Sequence, residues 1–163
     1  YVALAFAERY PNKVAGLILS DTQVIADSEE AKKKREASAV AVLAQGPGQL
    51  VNDFLPKALS PQASIVQPEA LKNILQSQKA SGIASALRSM ALREDTSAVL
   101  AKITQPVLIL TGDKDVVISP QQSEHMHQLV KHSKLVVIEN AGHLSSWEQS
   151  KQWNQAVIDM FTG

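Results

Sequence analysis

The sequence has no cysteine, which excludes disulfides and thiolate chemistry and leaves the redox compartment open. Neither sign of charge is in excess: Lys and Arg number 16, Asp and Glu also 16, and the formal net charge is zero. That balance points to neither nucleic acid nor an anionic membrane surface as a partner. No apolar run approaches the roughly 18 residues of a membrane helix, and there is no internal repeat or low-complexity tract. Aromatic residues make up only 4%, so Trp147 and Trp153 stand out as packing anchors for the end of the chain. What remains is an ordinary globular composition, 45% apolar and 20% charged over 163 residues. That suffices for one domain with a sizeable core, or for part of a larger one.

The most informative stretch is Pro106-Val107-Leu108-Ile109-Leu110-Thr111-Gly112-Asp113-Lys114-Asp115. A short apolar run bounded by Pro and Gly fits a buried strand of a parallel sheet. Chemistry in such sheets sits just past the carboxyl ends of the strands. A second run, Leu135 to Ile138, leads in the same way into Glu139-Asn140-Ala141-Gly142-His143. Two strands thus each deliver a reactive side chain at their ends.

The remaining pattern alternates. Val2 to Arg9 reads as a helix ended by Pro11. Val14 to Leu19 reads as a strand ending at Ser20-Asp21-Thr22. Residues 23–102 show no convincing strand, and Pro47, Pro56, Pro61 and Pro68 punctuate them. Asp27 followed by Glu30 suggests a capping box for a helix running to about Ala44. Further helices are expected after Pro47, from Pro68 to Gln78, from Ser81 to Arg93, and briefly after Asp95. Alternation then resumes: strand Val107–Thr111, helix from Pro120 to about Val130, strand Leu135–Ile138, and one last helix from about Ser146 to Phe161. Alternating strands and helices imply a parallel sheet with right-handed crossovers. The expected division is 1–22 and 103–163 as an α/β core, with 23–102 as a helical insertion.

A carboxylate at one strand end and a histidine at the next can work as an orienting acid and a base. The histidine takes a proton from a nucleophile, while the carboxylate fixes its tautomer and steadies the imidazolium. Asp115 is the stronger candidate acid, because it lies further past its strand, and His143 is the base. Asp113 reads as a turn residue bonded to its own backbone, and Gly142 as the residue that lets the loop turn. Asp21, also at a strand end, reads chiefly as a cap or turn residue and secondarily as an alternative acid. Ser20 and Ser145 are not on a nucleophile elbow. His125 and His127, two apart on one helix, point to different faces, and with His132 they suggest a wet surface and no metal site.

The order strand, Gly-Asp-Lys-Asp, helix, strand, Ala-Gly-His-Leu, with Trp147-Glu148-Gln149 following, closely resembles the C-terminal half of α/β-hydrolases. The resemblance covers the whole chain. Tyr1 to Ala7 looks like the helix after the nucleophile elbow, Val14 to Asp21 like the next strand, and residues 23–102 like a cap. The resemblance implies a partial α/β-hydrolase fold of about three parallel strands, with Asp115 as triad acid and His143 as triad base. In some relatives, such as dehalogenases, an acid at the place of Asp21 serves the histidine instead. The chain order of nucleophile, acid and His in that fold agrees with this placement.

One departure is large. The fold's Gly-x-Ser-x-Gly elbow would lie immediately before Tyr1, and the 163 residues contain no such motif. The chain is therefore expected to be a fragment of a serine hydrolase acting on a small-molecule carboxylic ester or lactone. By itself it is expected to be inactive. A haloalkane dehalogenase, a carbon–carbon bond hydrolase and a non-catalytic ligand-binding member of the fold are the alternatives. No cofactor, metal, nucleic acid or membrane partner is expected, and the expected setting is cytoplasmic. The open edge of Val14–Leu19 is expected to be covered, by a second copy in a homodimer or by the missing N-terminal half.

Overall fold

The structure, a computed structural model, describes residues 1–64 and 66–162. Among the described residues three strands form one parallel sheet: β1 (Leu17–Ser20), β2 (Val107–Gly112) and β3 (Lys134–Ile138), in the order β1-β2-β3. Leu17 pairs with Val107, and Leu108 with Lys134, so all three strands end at the same side. Every residue of β2 is buried, as expected of a central parallel strand covered on both faces. The strand's period of two divides its side chains between two cores. Val107 and Ile109 join Leu17, Leu19, Met126 and Val130 on one face, together with Leu4 and Ala7 of helix α1 (Val2–Arg9). Leu108 and Leu110 join Ile138 and Ala156 on the other, where Trp153 and Val157 pack against them.

The chain divides into two compact units. The first comprises residues 1–24, 57–63 and 96–163, and holds the sheet; the second comprises 25–56 and 64–95, and is helical. The expected insertion of 23–102 is thus interrupted: residues 57–63 and 96–102 belong with the sheet. Thr96 shows why for the second segment, since its amide and hydroxyl both donate to Val24 O, at 2.9 and 3.2 Å. Leu100, in the short helix α6 (Ser97–Leu100), is fully buried in the first core.

The helical unit contains α2 (Glu29–Gln45), most of α3 (Gly48–Ala58), α4 (Gln67–Gln76) and α5 (Ala80–Ala91). The capping box expected at Asp27 is not formed. Ser28 is the N-cap, its hydroxyl accepting from Ala31 N at 3.2 Å. Asp27 is instead taken up by cations: its carboxylate receives Arg35 Nε and Nη2 and lies 3.5 Å from Arg93 Nη2. Pairing with a guanidinium brings an opposite full charge to the carboxylate, which a backbone amide at a cap does not. A second tie, Arg88 to Glu36, is bidentate but half exposed and contributes little. α3 also passes through Pro56, where the sequence suggested a stop, because a proline in the last turn forfeits only one backbone bond.

The remaining helices flank the sheet. α7 (Pro120–Leu129) begins at its proline as expected. The single helix anticipated from Ser146 to Phe161 is two, α8 (Ser145–Glu148) and α9 (Ser150–Phe161), broken at Gln149 with φ −128° and ψ 54°. Among the described residues no helix is long and apolar enough to cross a membrane.

The Asp27 cluster makes a testable statement about pH. The Arg35 hydrogen bonds, against a smaller opposing effect of burial, hold the Asp27 carboxyl below its usual range. A depressed carboxyl contributes stability above the unfolded value of about 3.9 and loses it as pH falls through the lower folded value. Asp27→Asn should therefore lower the urea midpoint at pH 7, reflecting a loss of about 3 kcal/mol in unfolding free energy given how buried the carboxylate is. It should also flatten the parent's loss of stability below pH ~4. Equal midpoints for parent and variant at pH 7 would contradict the assignment.

Candidate active site

Parallel strands ending together place their following loops side by side. The β2 loop carries Asp113 and Asp115, the β3 loop carries Asn140 to His143, and Asp21 follows β1. Backbone bonds stitch the first two loops together: Asp113 N donates to Ile138 O at 3.1 Å, and Lys114 N to Ala141 O at 2.9 Å. Asp113 adds a side-chain stitch, its Oδ1 accepting from Ala141 N at 3.2 Å while Oδ2 pairs with Lys114 Nζ at 3.0 Å. It thus bonds the neighbouring loop, not only its own turn. Burial works to raise the Asp113 carboxyl, but the Lys114 ammonium and the Ala141 and Asn140 amides outweigh it and hold the group below its usual value.

Asp115 is the buried acid. Its Oδ1 accepts from the Val117 and Ile118 amides, at 2.8 and 2.9 Å, and its Oδ2 lies 2.9 Å from His143 Nδ1. The Asp115 side chain is completely buried, and that of His143 is 22% exposed. Two backbone amides and the ring nitrogen therefore meet at one carboxylate. With Nδ1 held as the donor, the ring's Nε2 is the nitrogen suited to accept a proton. The structure thus brings together the two residues that the sequence singled out.

Asp21 lies in a separate network. Its Oδ2 accepts from the Ser145 hydroxyl at 2.5 Å and the Ser20 hydroxyl at 3.0 Å, and its Oδ1 from the Gly112 amide at 3.0 Å. Trp153 Nε1 donates to Ser20 Oγ at 3.0 Å, completing the chain. Burial pushes the Asp21 carboxyl up, against the pull of the Ser145, Gly112 and Ser20 donors, and the nearby Asp115 charge adds to the rise. Its backbone is left-handed, with φ 49°. Ser20 and Ser145 are thus partners of a carboxylate, and Asp21 holds the ends of β1, β2 and α8 together rather than sitting at His143 Nδ1.

The sequence reading missed two contributors. Glu148 accepts from Gly142 N through Oε1 and from Ser60 N through Oε2, both at 2.7 Å. Ser60 Oγ in turn donates to Asn140 O at 3.0 Å, and His143 N to Ala58 O at 3.0 Å. The residues 57–63 thus back the histidine loop. No local pattern signals a contact between positions 88 apart. Gly142 is needed for this close approach: a Cβ there would lie 2.7 Å from Ser60 N and 2.8 Å from Leu59 C. The left-handed turn in this loop is made by Asn140 instead, at φ 57°. Of the other histidines, His127 Nδ1 lies 2.8 Å from Ser133 Oγ and His132 Nε2 3.3 Å from Gln105 O. Among the described residues no group of three or more His, Cys, Asp or Glu could hold a metal.

Comparison with known proteins gives a consistent picture. A family model described as the alpha/beta hydrolase fold matches residues 1–150. A pimeloyl-[acyl-carrier protein] methyl ester esterase of Neisseria meningitidis is 32% identical over 151 residues, covering 87% of this chain and 58% of its own length. A 3-oxoadipate enol-lactonase of Acinetobacter baylyi is 33% identical over 104 residues, covering 64% of this chain and 38% of its own. Among solved structures, a thermophilic esterase from Thermogutta terrifontis superposes with a TM-score of 0.94 at 34% identity, covering 98% of this chain and 60% of that one. The chain therefore spans well under two thirds of the length of these relatives.

The stitching of the two loops leaves no space at Gly112 either, where a Cβ would lie 2.3 Å from both Ala141 O and Gly142 O. Backbone atoms cannot swing aside as a side-chain tip can. Gly112→Ala should cost about 3 kcal/mol or more in urea denaturation. A midpoint within error of the parent would show that the loops are not packed in this way.

Proposed function

The chain belongs to the α/β-hydrolase fold family, and on that premise we propose that it is the acid- and base-bearing part of a hydrolase acting on small-molecule carboxylic esters or lactones. One observation carries the reading: a wholly buried carboxylate, Asp115, set 2.9 Å from Nδ1 of a partly exposed histidine, His143, at adjacent strand ends. Esterase and lactonase names among the relatives support the substrate class.

In this reading His143 Nε2 removes the proton from an attacking hydroxyl as that oxygen adds to the ester carbonyl. The Asp115 carboxylate steadies the resulting imidazolium. The imidazolium then returns the proton to the departing alkoxide, leaving an acyl-enzyme. His143 next deprotonates water as it adds to the acyl carbon, and the imidazolium then gives that proton to the departing nucleophile oxygen as the carboxylic acid is released. The nucleophile is a serine outside these 163 residues, which hold no Gly-x-Ser-x-Gly motif. The part of the sheet outside these residues is also the occupant we propose for the open side of β1, where Val2, Phe6 and Ile18 are exposed.

Two outcomes are expected. In the whole protein, Asp115→Asn should reduce ester hydrolysis by about four orders of magnitude, as the ring loses its orienting charge, while Asp113→Asn should leave most of it. Equal effects of the two substitutions would count against the assignment of Asp115. The 163-residue chain alone should show no His143-dependent turnover of p-nitrophenyl acetate, and clear activity abolished by His143→Ala would refute this.

A further inference from the structure

We propose that Glu148 is a positioning residue for His143, acting through the backbone rather than through the ring. The proposal rests on the reading of His143 as the base, and it assigns to a second carboxylate a task distinct from that of Asp115.

The geometry is that of a clamp. Glu148 ends the four-residue α8, and the helix breaks immediately after it. Its two oxygens accept from two amides on different segments, Gly142 N and Ser60 N, each at 2.7 Å. That is the short end of charge-assisted N–H···O bonds. Gly142 directly precedes His143, whose own amide donates to Ala58 O at 3.0 Å. Ser60 Oγ closes the same seam on Asn140 O. The backbone leading into the ring is therefore fixed at consecutive residues on the N-terminal side of the His143 Cα, and Glu148 supplies the bonds that join the two segments. Asp115 sets the rotation and tautomer of the ring, while Glu148 sets where the ring starts from. Catalytic rates depend steeply on such placement, because a displacement of about 1 Å can cost two orders of magnitude.

The chemistry also explains why this residue is a glutamate. Both partners are donors, so the clamp needs two acceptors. A carboxylate has only acceptors, whereas an amide has one acceptor and one donor group. Gln would turn an N–H toward one of the two backbone amides. Asp, one methylene shorter, would reach one amide only.

The test is NMR on the isotope-labelled whole protein, comparing the parent with Glu148→Gln and Glu148→Asp. In the variants, exchange of the Gly142 and Ser60 amides should speed up by at least about tenfold. The low-field resonance of the His143 Nδ1 proton should shift or vanish, while the Leu108–Leu110 amides stay protected. An Nδ1 resonance unchanged in both variants would reduce Glu148 to a structural bond and overturn the proposal. So would unchanged protection of Gly142 and Ser60, loss of strand protection in both variants, or absence of the resonance from the parent. None of these readouts requires turnover. Failure of the hydrolase reading would show only in the ester assay on parent and His143→Ala, and failure of the clamp only in the spectra.

Discussion

A strand with no wet face is the constraint on which everything else here depends. β2 is buried along its whole length, so its side chains from Val107 to Leu110 are apolar on both faces and are covered on both sides. Both of its neighbours pair with it in parallel, so the three strands end together. Acidic residues, absent from all three strands, collect beyond those ends. Asp21, Asp113, Asp115 and His143 are neighbours because the apolar run between Pro106 and Gly112 leaves them nowhere else to be.

The three acids at those ends are separated in role by their partners. Asp113 meets an ammonium and is held acidic, and Asp21 meets hydroxyls in a dry setting and is held up. Asp115 meets two amides and a ring nitrogen. Of the three, only Asp115 is in contact with a histidine ring, and its two backbone bonds hold it there.

Much of this was legible in the sequence because it is local. The strand at Val107 and that at Leu135, the proline-led α7, and the placing of Asp115 and His143 at adjacent strand ends all follow from short-range pattern. What was not legible depends on partners far along the chain. Asp27 looked like a helix cap, and is instead the partner of Arg35 and Arg93. Residues 57–63 read as part of a helical insertion, and their place in the sheet unit rests on Ala58, Ser60 and the loop 80 to 90 positions later. Glu148 was visible only as part of a motif, with no local cue to the amides it binds. Gly142 was correctly marked as special, but for a turn, whereas its significance is the room it leaves for Ser60.

The register of β1 against β2 has one more consequence. Leu17 pairs with Val107 across an excursion of about 90 residues, most of it helical. Closing such an excursion has an entropic cost that grows only logarithmically, roughly 0.6 kcal/mol for each doubling of its length. The sheet is therefore nearly indifferent to how long the helical unit is, provided the returns at 57–63 and Thr96 are kept. Those helices can be lengthened, shortened or rewritten at little cost to the register of the strands or to the 2.9 Å contact between Asp115 and His143 beyond their ends.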